Sequence, residues 1–377
     1  MQCLVVAVRP LRVEELAEVL AFDFKAEGIP KLNESWRWED QEEAVTSACS
    51  SLVTIVEDED SRIVQFSHFS VKEFLTADRL AEPMRDVSRY HIELEAAHTI
   101  LAQACIGVLL RLDNHVDRDN IKDFLLARYA AEYWNRHAKF GGVSARIKDG
   151  MECLFDKDKP HFATLFWIYD EEWFARMSTM RPVKPRAVPL YHAARLGFRD
   201  LAAHLISKHP EHVYAGDHQG YTAMHVAAKE GNTDILSLLL EHDADVDSRN
   251  MFDETPLHRA SDYGKLDIGQ RLLDHGADIN ARDEDGYTPL FQAALGGHVE
   301  FAQMLIERGA AIDFRDNEGG TPLSRAVEWG KVEVARLFLM YGADVHARDE
   351  SGRTPSEYTT NQDILELLCE YGSESVK

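Results

Sequence analysis

The sequence has no phosphate-binding loop of the form GxxxxGK[ST]. Gly264-Lys265 and Gly330-Lys331 are each followed by another residue type, and no hydrophobic strand ending in paired carboxylates completes a Walker B site. Nucleotide hydrolysis within this chain is therefore not expected. No Ser/His/Asp or Cys/His grouping recurs at a plausible spacing, so no catalytic residue is assigned. Cysteine is scarce: Cys3, Cys49, Cys105, Cys153 and Cys369 are scattered, with no CxxC pair. That excludes a zinc ribbon and a disulfide framework, and leaves free thiols in a reducing compartment. Positive charge is in deficit, with 41 Lys and Arg against 65 Asp and Glu, a formal net charge of −24. The bulk of the molecule is thus unsuited to nucleic acid or to an anionic membrane surface. No apolar run reaches the length of a membrane span, and Met1 to Val8 is too short for a signal peptide before Arg9-Pro10. The expectation is a cytoplasmic protein, with the nucleus possible, and no cofactor. The 377 residues are 45% hydrophobic, enough for two or three folded domains.

What the chain does have is a repeat. Thr222, Thr255, Thr288, Thr321 and Thr354 stand 33 residues apart. Thr255-Pro256-Leu257-His258-Arg259-Ala260 is followed by Gly264, and Thr288-Pro289-Leu290-Phe291-Gln292-Ala293-Ala294 by Gly297. Thr321-Pro322-Leu323 precedes Gly330, and Thr222-Ala223-Met224-His225 precedes Gly231. An earlier copy, Pro189-Leu190-Tyr191-His192-Ala193-Ala194 with Gly197, lacks the threonine. Each unit reads as two short helices. Threonine caps the first, its hydroxyl accepting an orphan N–H, and proline suits the first helical position. Glycine ends that helix. The second helix has apolar residues at helical spacing, as in Ile235, Leu238 and Leu239, and ends in Gly276, Gly309 or Gly342.

This pattern resembles the ankyrin repeat over residues 184–377, as about six units with degenerate ends. The resemblance implies an α-solenoid that binds protein partners through its finger tips and the concave face of the first helices. On that basis Tyr221 and Tyr287 lie just before a threonine, Phe252 lies in a finger, and Tyr263 and Trp329 occupy the inner-face position eight residues after a threonine. These five are the candidate partner-binding residues, since aromatic side chains are enriched at interface hot spots. Packing against the adjacent repeat is the alternative for each ring. Acidic tips, Asp283, Glu284, Asp285, Asp316, Glu318, Asp349 and Glu350, argue for a neutral or basic partner. His192, His225 and His258 recur at one repeat position, where the resemblance implies a structural hydrogen bond rather than a metal. His209 and His212 bracket Pro210-Glu211, which is not the HExxH helix of a zinc protease, so no metal site is assigned.

The first half has another grammar. Leu4 to Val8 reads as the tail of a helix. Val13, Leu16, Ala17, Val19 and Leu20 mark a second helix, and Ala44 to Cys49 a third. Two strand-like runs, Leu52 to Val56 and Arg62 to Phe66, flank an acidic hairpin tip, and a helix Ser70 to Leu75 follows. Helices followed by a hairpin predict a small winged-helix-like α+β domain over 1–85. Its acidic wing is wrong for contacting phosphate. Residues 86–183 are expected as a helical linker region, with apolar stripes at Ala96, Ile100, Ala104 and Leu109, then Phe124, Leu125, Tyr129 and Trp134. Met180 to Val188 is expected to join it to the repeats. The whole is read as mainly α.

Arg9-Pro10-Leu11-Arg12-Val13-Glu14-Glu15-Leu16, Cys49-Ser50-Ser51-Leu52-Val53 and Phe66-Ser67-His68-Phe69-Ser70-Val71-Lys72-Glu73-Phe74-Leu75 resemble the segment after the NACHT domain in fungal NLR-like proteins. Those are signal-transducing (STAND) NTPases that often end in ankyrin arrays. The resemblance implies that a few hundred residues with the P-loop precede such a segment, so either that half is lost or Met1 is not the true start. It also gives His68 a reading as a contact to the phosphate of bound ADP, against that of a packed or capping histidine. A nucleotide is expected only with an upstream NTPase domain. Two functions remain open: a protein-binding scaffold or sensor module, or the sensing half of such an NTPase.

Overall fold

The computed structural model describes residues 1–24, 29–37, 40–49, 52–58, 61–67, 69–76, 91–113, 115–117, 119–169 and 187–374. The chain divides into two compact units, Met1–Pro185 and Arg186–Lys377.

In the first unit, α1 (Gln2–Val6), α2 (Val13–Leu20), α3 (Gln41–Cys49) and α4 (Phe69–Leu75) surround a three-stranded antiparallel sheet. Its strands are β1 (Leu11–Arg12), β5 (Ser61–Phe66) and β4 (Val53–Asp58), in that order, with Leu11 opposite Val64 and Val53 opposite Phe66. A two-residue pair, β2 (Phe22–Asp23) with β3 (Lys31–Leu32), stands apart. The helices, the wing hairpin and the closing helix fall where the sequence places them. Strands of two residues carry no period of their own, which is why β1, β2 and β3 were not legible. α2 turns Val13, Leu16, Ala17 and Val19 inward, while Leu20 stays exposed. Glu15 is buried in the first turn of α2. It takes the Arg9 guanidinium in a two-bond fork at 2.9 and 2.6 Å and the Arg12 amide at 2.8 Å, so the carboxylate is not stranded.

The helical region comprises α5 (Leu94–Leu109), α6 (Ala127–Ala138), α7 (Val143–Arg146), α8 (Lys148–Leu154) and α9 (Pro160–Tyr169). It packs on the winged-helix part: α1 lies on α5, and the Val8 amide donates to the Tyr129 hydroxyl of α6 at 3.1 Å. The inward stripe of α5 is Ala97, Leu101, Ala104, Cys105, Val108 and Leu109. Ala96 and Ile100, expected in it, are only half-buried, because the stripe is rotated by one residue. Phe124 and Leu125 are likewise half-buried, since α6 starts after them at Ala127. Trp134, Phe155, Phe162 and Phe166 pack edge to face, with the Phe155–Phe162 pair tilted, and centroids 5.1–6.2 Å apart, as an aromatic core should. Residues 180–186 of the expected joining segment lie outside the described residues.

In the second unit five helix pairs follow one another: α10 (Pro189–Leu196) with α11 (Arg199–Lys208), α12 (Ala223–Glu230) with α13 (Thr233–Glu241), α14 (Pro256–Asp262) with α15 (Leu266–Asp274), α16 (Pro289–Gly296) with α17 (Val299–Glu307), and α18 (Pro322–Glu328) with α19 (Val332–Met340). A sixth pair ends the array, its first helix cut to the 3-10 turn Pro355–Tyr358 ahead of α20 (Gln362–Glu374). All five threonines are N-caps, and Val188 stands in for the missing one. First helices pack on first helices, second on second, and each first helix on the second of its own repeat, so a continuous alanine and leucine core runs along the array.

Candidate partner-binding surface

The fingers begin with a residue that the repeat pattern had hidden. Asp217, Asn250, Asp283, Asp316 and Asp349 each stand five residues before a capping threonine. In the first four, Oδ1 accepts the amides two and four residues on, at 2.8–3.0 Å. Asp349 accepts the Arg353 amide at 2.7 Å. The side chain thus folds the finger turn over itself. The other oxygen is met by the residue four beyond the threonine: Gln292 Nε2 reaches Asp283 at 3.1 Å, Arg325 Nε reaches Asp316 at 2.8 Å, and the Tyr358 hydroxyl donates to Asp349.

Three of the seven acids taken as an acidic tip are therefore turn-builders, and Glu318 is paired with Arg325 at 2.6 Å. Glu284, Asp285 and Glu350 remain exposed. The signal was present as Asp/Asn-x-x-Gly-x-Thr, but a run of acids hid it. Burial raises the Asp283 carboxyl to about 6, against the backbone and Gln292 bonds that lower it.

Successive fingers are joined by their backbones. The amides of Met251, Glu284, Asn317 and Glu350 donate to the carbonyls of Gln219, Phe252, Asp285 and Glu318 at 2.8–3.0 Å. A second tie runs through the histidines. His225 Nδ1 accepts the Thr222 amide at 3.2 Å, and Nε2 lies 3.0 Å from the Glu254 carbonyl. His258 repeats this with Thr255 and Tyr287. A carbonyl only accepts, so each ring carries its proton on Nε2 and is neutral. Burial, the largest cause, pushes both imidazoles down to about 4. These histidines tie repeats together, as the resemblance implied.

On this frame the five candidate residues divide. Trp329 and Tyr263, at the same place in their repeats, are 64% and 41% exposed. Tyr263 has the Lys229 ammonium 5.1 Å and the Arg259 guanidinium 5.2 Å from its ring centre. Tyr221 is half-buried, lies 5.4 Å from the same guanidinium, and donates its hydroxyl to Glu254 at 2.9 Å. Phe252 is half-buried 6.5 Å from Tyr221. Tyr287 is half-buried and stacks on Phe291 at 5.1 Å, with Arg325 at 5.9 Å. Three of the five rings thus serve their own array, and two face outward. Met251, at the finger next to Phe252, is more exposed than any of them at 68%. His68 lies outside the described residues. Among the described residues no helix is long and apolar enough to cross a membrane.

The geometry is that of a mainly helical protein with a small winged-helix domain and a tandem array built to bind protein. Residues 190–283 and 257–349 match the family described as ankyrin repeats, and residues 1–84 match the GPI inositol-deacylase winged helix domain. Neither matched fold is a catalytic one. Among curated proteins, the chain is similar to azaphilone pigments biosynthesis cluster protein L of Monascus ruber, with 30% identity over 260 residues, 64% of this chain and 54% of that one. It is also 49% identical over 57 residues to BCL-6 corepressor-like protein 1 of Mus musculus and of Homo sapiens, 15% of this chain and 3% of theirs. The chain thus spans about half the length of the first relative and a small part of the others.

Proposed function

We propose that the chain is a protein–protein interaction scaffold or sensor module. It takes a neutral or basic protein partner on the fingers and concave face of the ankyrin array, in the cytoplasm or nucleus. The observation that carries this reading is the pair Tyr263 and Trp329, large rings held outward at equivalent positions of a frame whose fingers are hydrogen-bonded to one another. A preordered surface loses little entropy on binding, and exposed aromatic rings supply the anchors. Tyr221, Phe252 and Tyr287 support the surface from below, and Met251 extends it. The remaining tip charges, Glu284, Asp285 and Glu350, favour the basic side of the partner range. The test uses interactors crosslinked to the wild-type chain. Trp329→Ala with Tyr263→Ala should cut their binding by more than about tenfold without changing the helical circular dichroism, as expected for hot-spot residues. Unchanged binding rules the patch out.

A second reading is favoured by the winged-helix match at residues 1–84. In it the chain is the regulatory part of a fungal NLR-like signalling NTPase, the array senses a ligand, and His68 meets the nucleotide phosphate. Tight ADP or ATP binding that falls with His68→Ala supports this reading. Absence of nucleotide binding by the purified chain leaves the scaffold reading for this polypeptide.

A further inference from the structure

One cluster of ligating side chains stands apart from the finger surface, in the first repeat. α11 ends at Lys208, and the chain then makes one 3-10 turn, Pro210–Val213, with His209 as its N-cap. Such a turn brings residues three apart onto one edge. His209 and His212 are three apart, and the His212 amide donates to the His209 carbonyl at 3.0 Å. Their rings accordingly stack, with centroids 4.7 Å apart. Pro210 fixes φ at the first position of the turn. Glu211 bends its carboxylate toward both rings: Oε1 lies 3.4 Å from His209 Nδ1 and 3.9 Å from His212 Nε2. All three residues offer a ligand atom within 4.8 Å of the others.

Those separations have a chemical meaning. Around tetrahedral zinc, with bonds near 2 Å, neighbouring ligand atoms stand roughly 3.3 Å apart. The two carboxylate–imidazole separations, 3.4 and 3.9 Å, are near that value, and the stacked rings turn about their side-chain bonds to aim both lone pairs at one ion. Burial is graded: the His212 side chain is 5% exposed, His209 27% and Glu211 63%. One ligand is thus anchored in the repeat and the other two reach solvent. Two imidazoles and one carboxylate select a first-row divalent ion such as zinc over magnesium or calcium, which prefer all-oxygen shells.

We propose that His209, Glu211 and His212 bind a divalent transition-metal ion of the zinc class, with three protein ligands and water in the fourth place. The spacing His-Pro-Glu-His is not the helical one, and it works because the 3-10 turn, not an α-helix, sets the register. The ion clasps the stretch between α11 and the first finger turn at Asp217.

The test is titration of the full-length, chelator-treated chain with Co²⁺ alone, read by its visible d–d bands and confirmed by Zn²⁺ displacement. The wild type should show one site of tetrahedral character. His209→Ala and Glu211→Gln, both at accessible side chains, should each weaken it by more than about tenfold with circular dichroism unchanged. His346→Ala, distant in sequence and exposed, serves as the control for the other histidines and should match the wild type. Absence of the band in the wild type overturns the proposal. So does an affinity that neither His209→Ala nor Glu211→Gln reduces, or one that His346→Ala reduces as much.

Discussion

Thr255 and Thr288 cap helices at the same place in neighbouring repeats, yet their hydroxyls meet different fates. Thr255 closes a capping box with His258, while the residue three beyond Thr288 is Phe291, which offers no acceptor. Thr288 Oγ1 is buried with no hydrogen-bond partner among the described residues, so the capping role expected of its hydroxyl fails there. Burying a hydroxyl without a partner is costly. Thr288→Val should therefore raise stability by about 1 kcal/mol, and Thr255→Val should lower it by about the same. Urea midpoints of the two variants check this, and equal losses would sink it. The histidines give a second residue-scale outcome. His225 and His258 titrate near 6.5 when unfolded and near 4 in the array. A depressed folded value means the unfolded state binds the proton first. The stability each histidine contributes is full above about 6.5 and is lost as pH falls toward about 4. Between about pH 7.5 and pH 5 the loss is on the order of 2 kcal/mol per histidine. Since Phe291 already fills the same position, His225→Phe with His258→Phe should fold and show a flatter urea midpoint against pH. An unchanged slope would count against the tie.

At the scale of the element, the finger is where sequence and structure part. The helix pairs were legible because threonine, proline, alanine and glycine repeat at fixed offsets, and each has a local reason to do so. The finger turn has an equally fixed pattern, but its key carboxylates look like surface charge. Two departures make the logic visible: Asp243 and Asp253 adopt φ of 57° and 56°, and both stand where the three following repeats place glycine. The candidate site was half legible for the same reason. Spacing locates Tyr221, Phe252, Tyr263, Tyr287 and Trp329 on the fingers and inner face, but not which rings already hold Arg259 or stack on Phe291. Arg325 shows what a finger depends on. It is buried and bonds Asp316, Glu318 and Glu328 at 2.6–2.9 Å. Burial works to lower its guanidinium, and these three bonds outweigh it and hold it well above its ordinary value. Arg325→Ala leaves Oδ2 of the buried Asp316 carboxylate without its ion pair, Oδ1 keeping the Glu318 and Gly320 amides, and should cost about 3 kcal/mol. Arg325→Gln should cost about half as much, because Gln292 already makes that contact to Asp283. Equal losses in urea unfolding would mean the carboxylate is satisfied in some other way.

Across the whole molecule, the two compact units are built on opposite principles. The array is a sum of neighbour contacts, each repeat tied to the next by a backbone bond at the finger and by first-helix packing. The first unit is held by long-range contacts that cross the boundary expected near residue 85. α1 lies on α5, the Val8 amide reaches Tyr129, and Arg9 sits 5.0 Å from the Tyr129 ring while gripping Glu15. Tyr129 in turn contacts His137 Nε2 at 2.9 Å, and His137 Nδ1 meets His98 Nδ1 at 2.9 Å, so α5 and α6 close over the start of the chain. The family match over residues 1–84 therefore ends inside a set of contacts that runs on to α5 and α6. Residues 1–85 alone would expose the α1 surface that rests on α5 and leave the Val8 amide without the Tyr129 hydroxyl. Expressed separately, 1–85 should lack a cooperative urea transition, while 1–185 should show one. The array, 186–377, should unfold cooperatively by itself, since its repeats pack on one another in series. Circular dichroism across the three fragments decides the matter: a sharp transition in 1–85 would place the folding boundary back at the winged helix, and the packing of α1 on α5 would then be an association between finished domains.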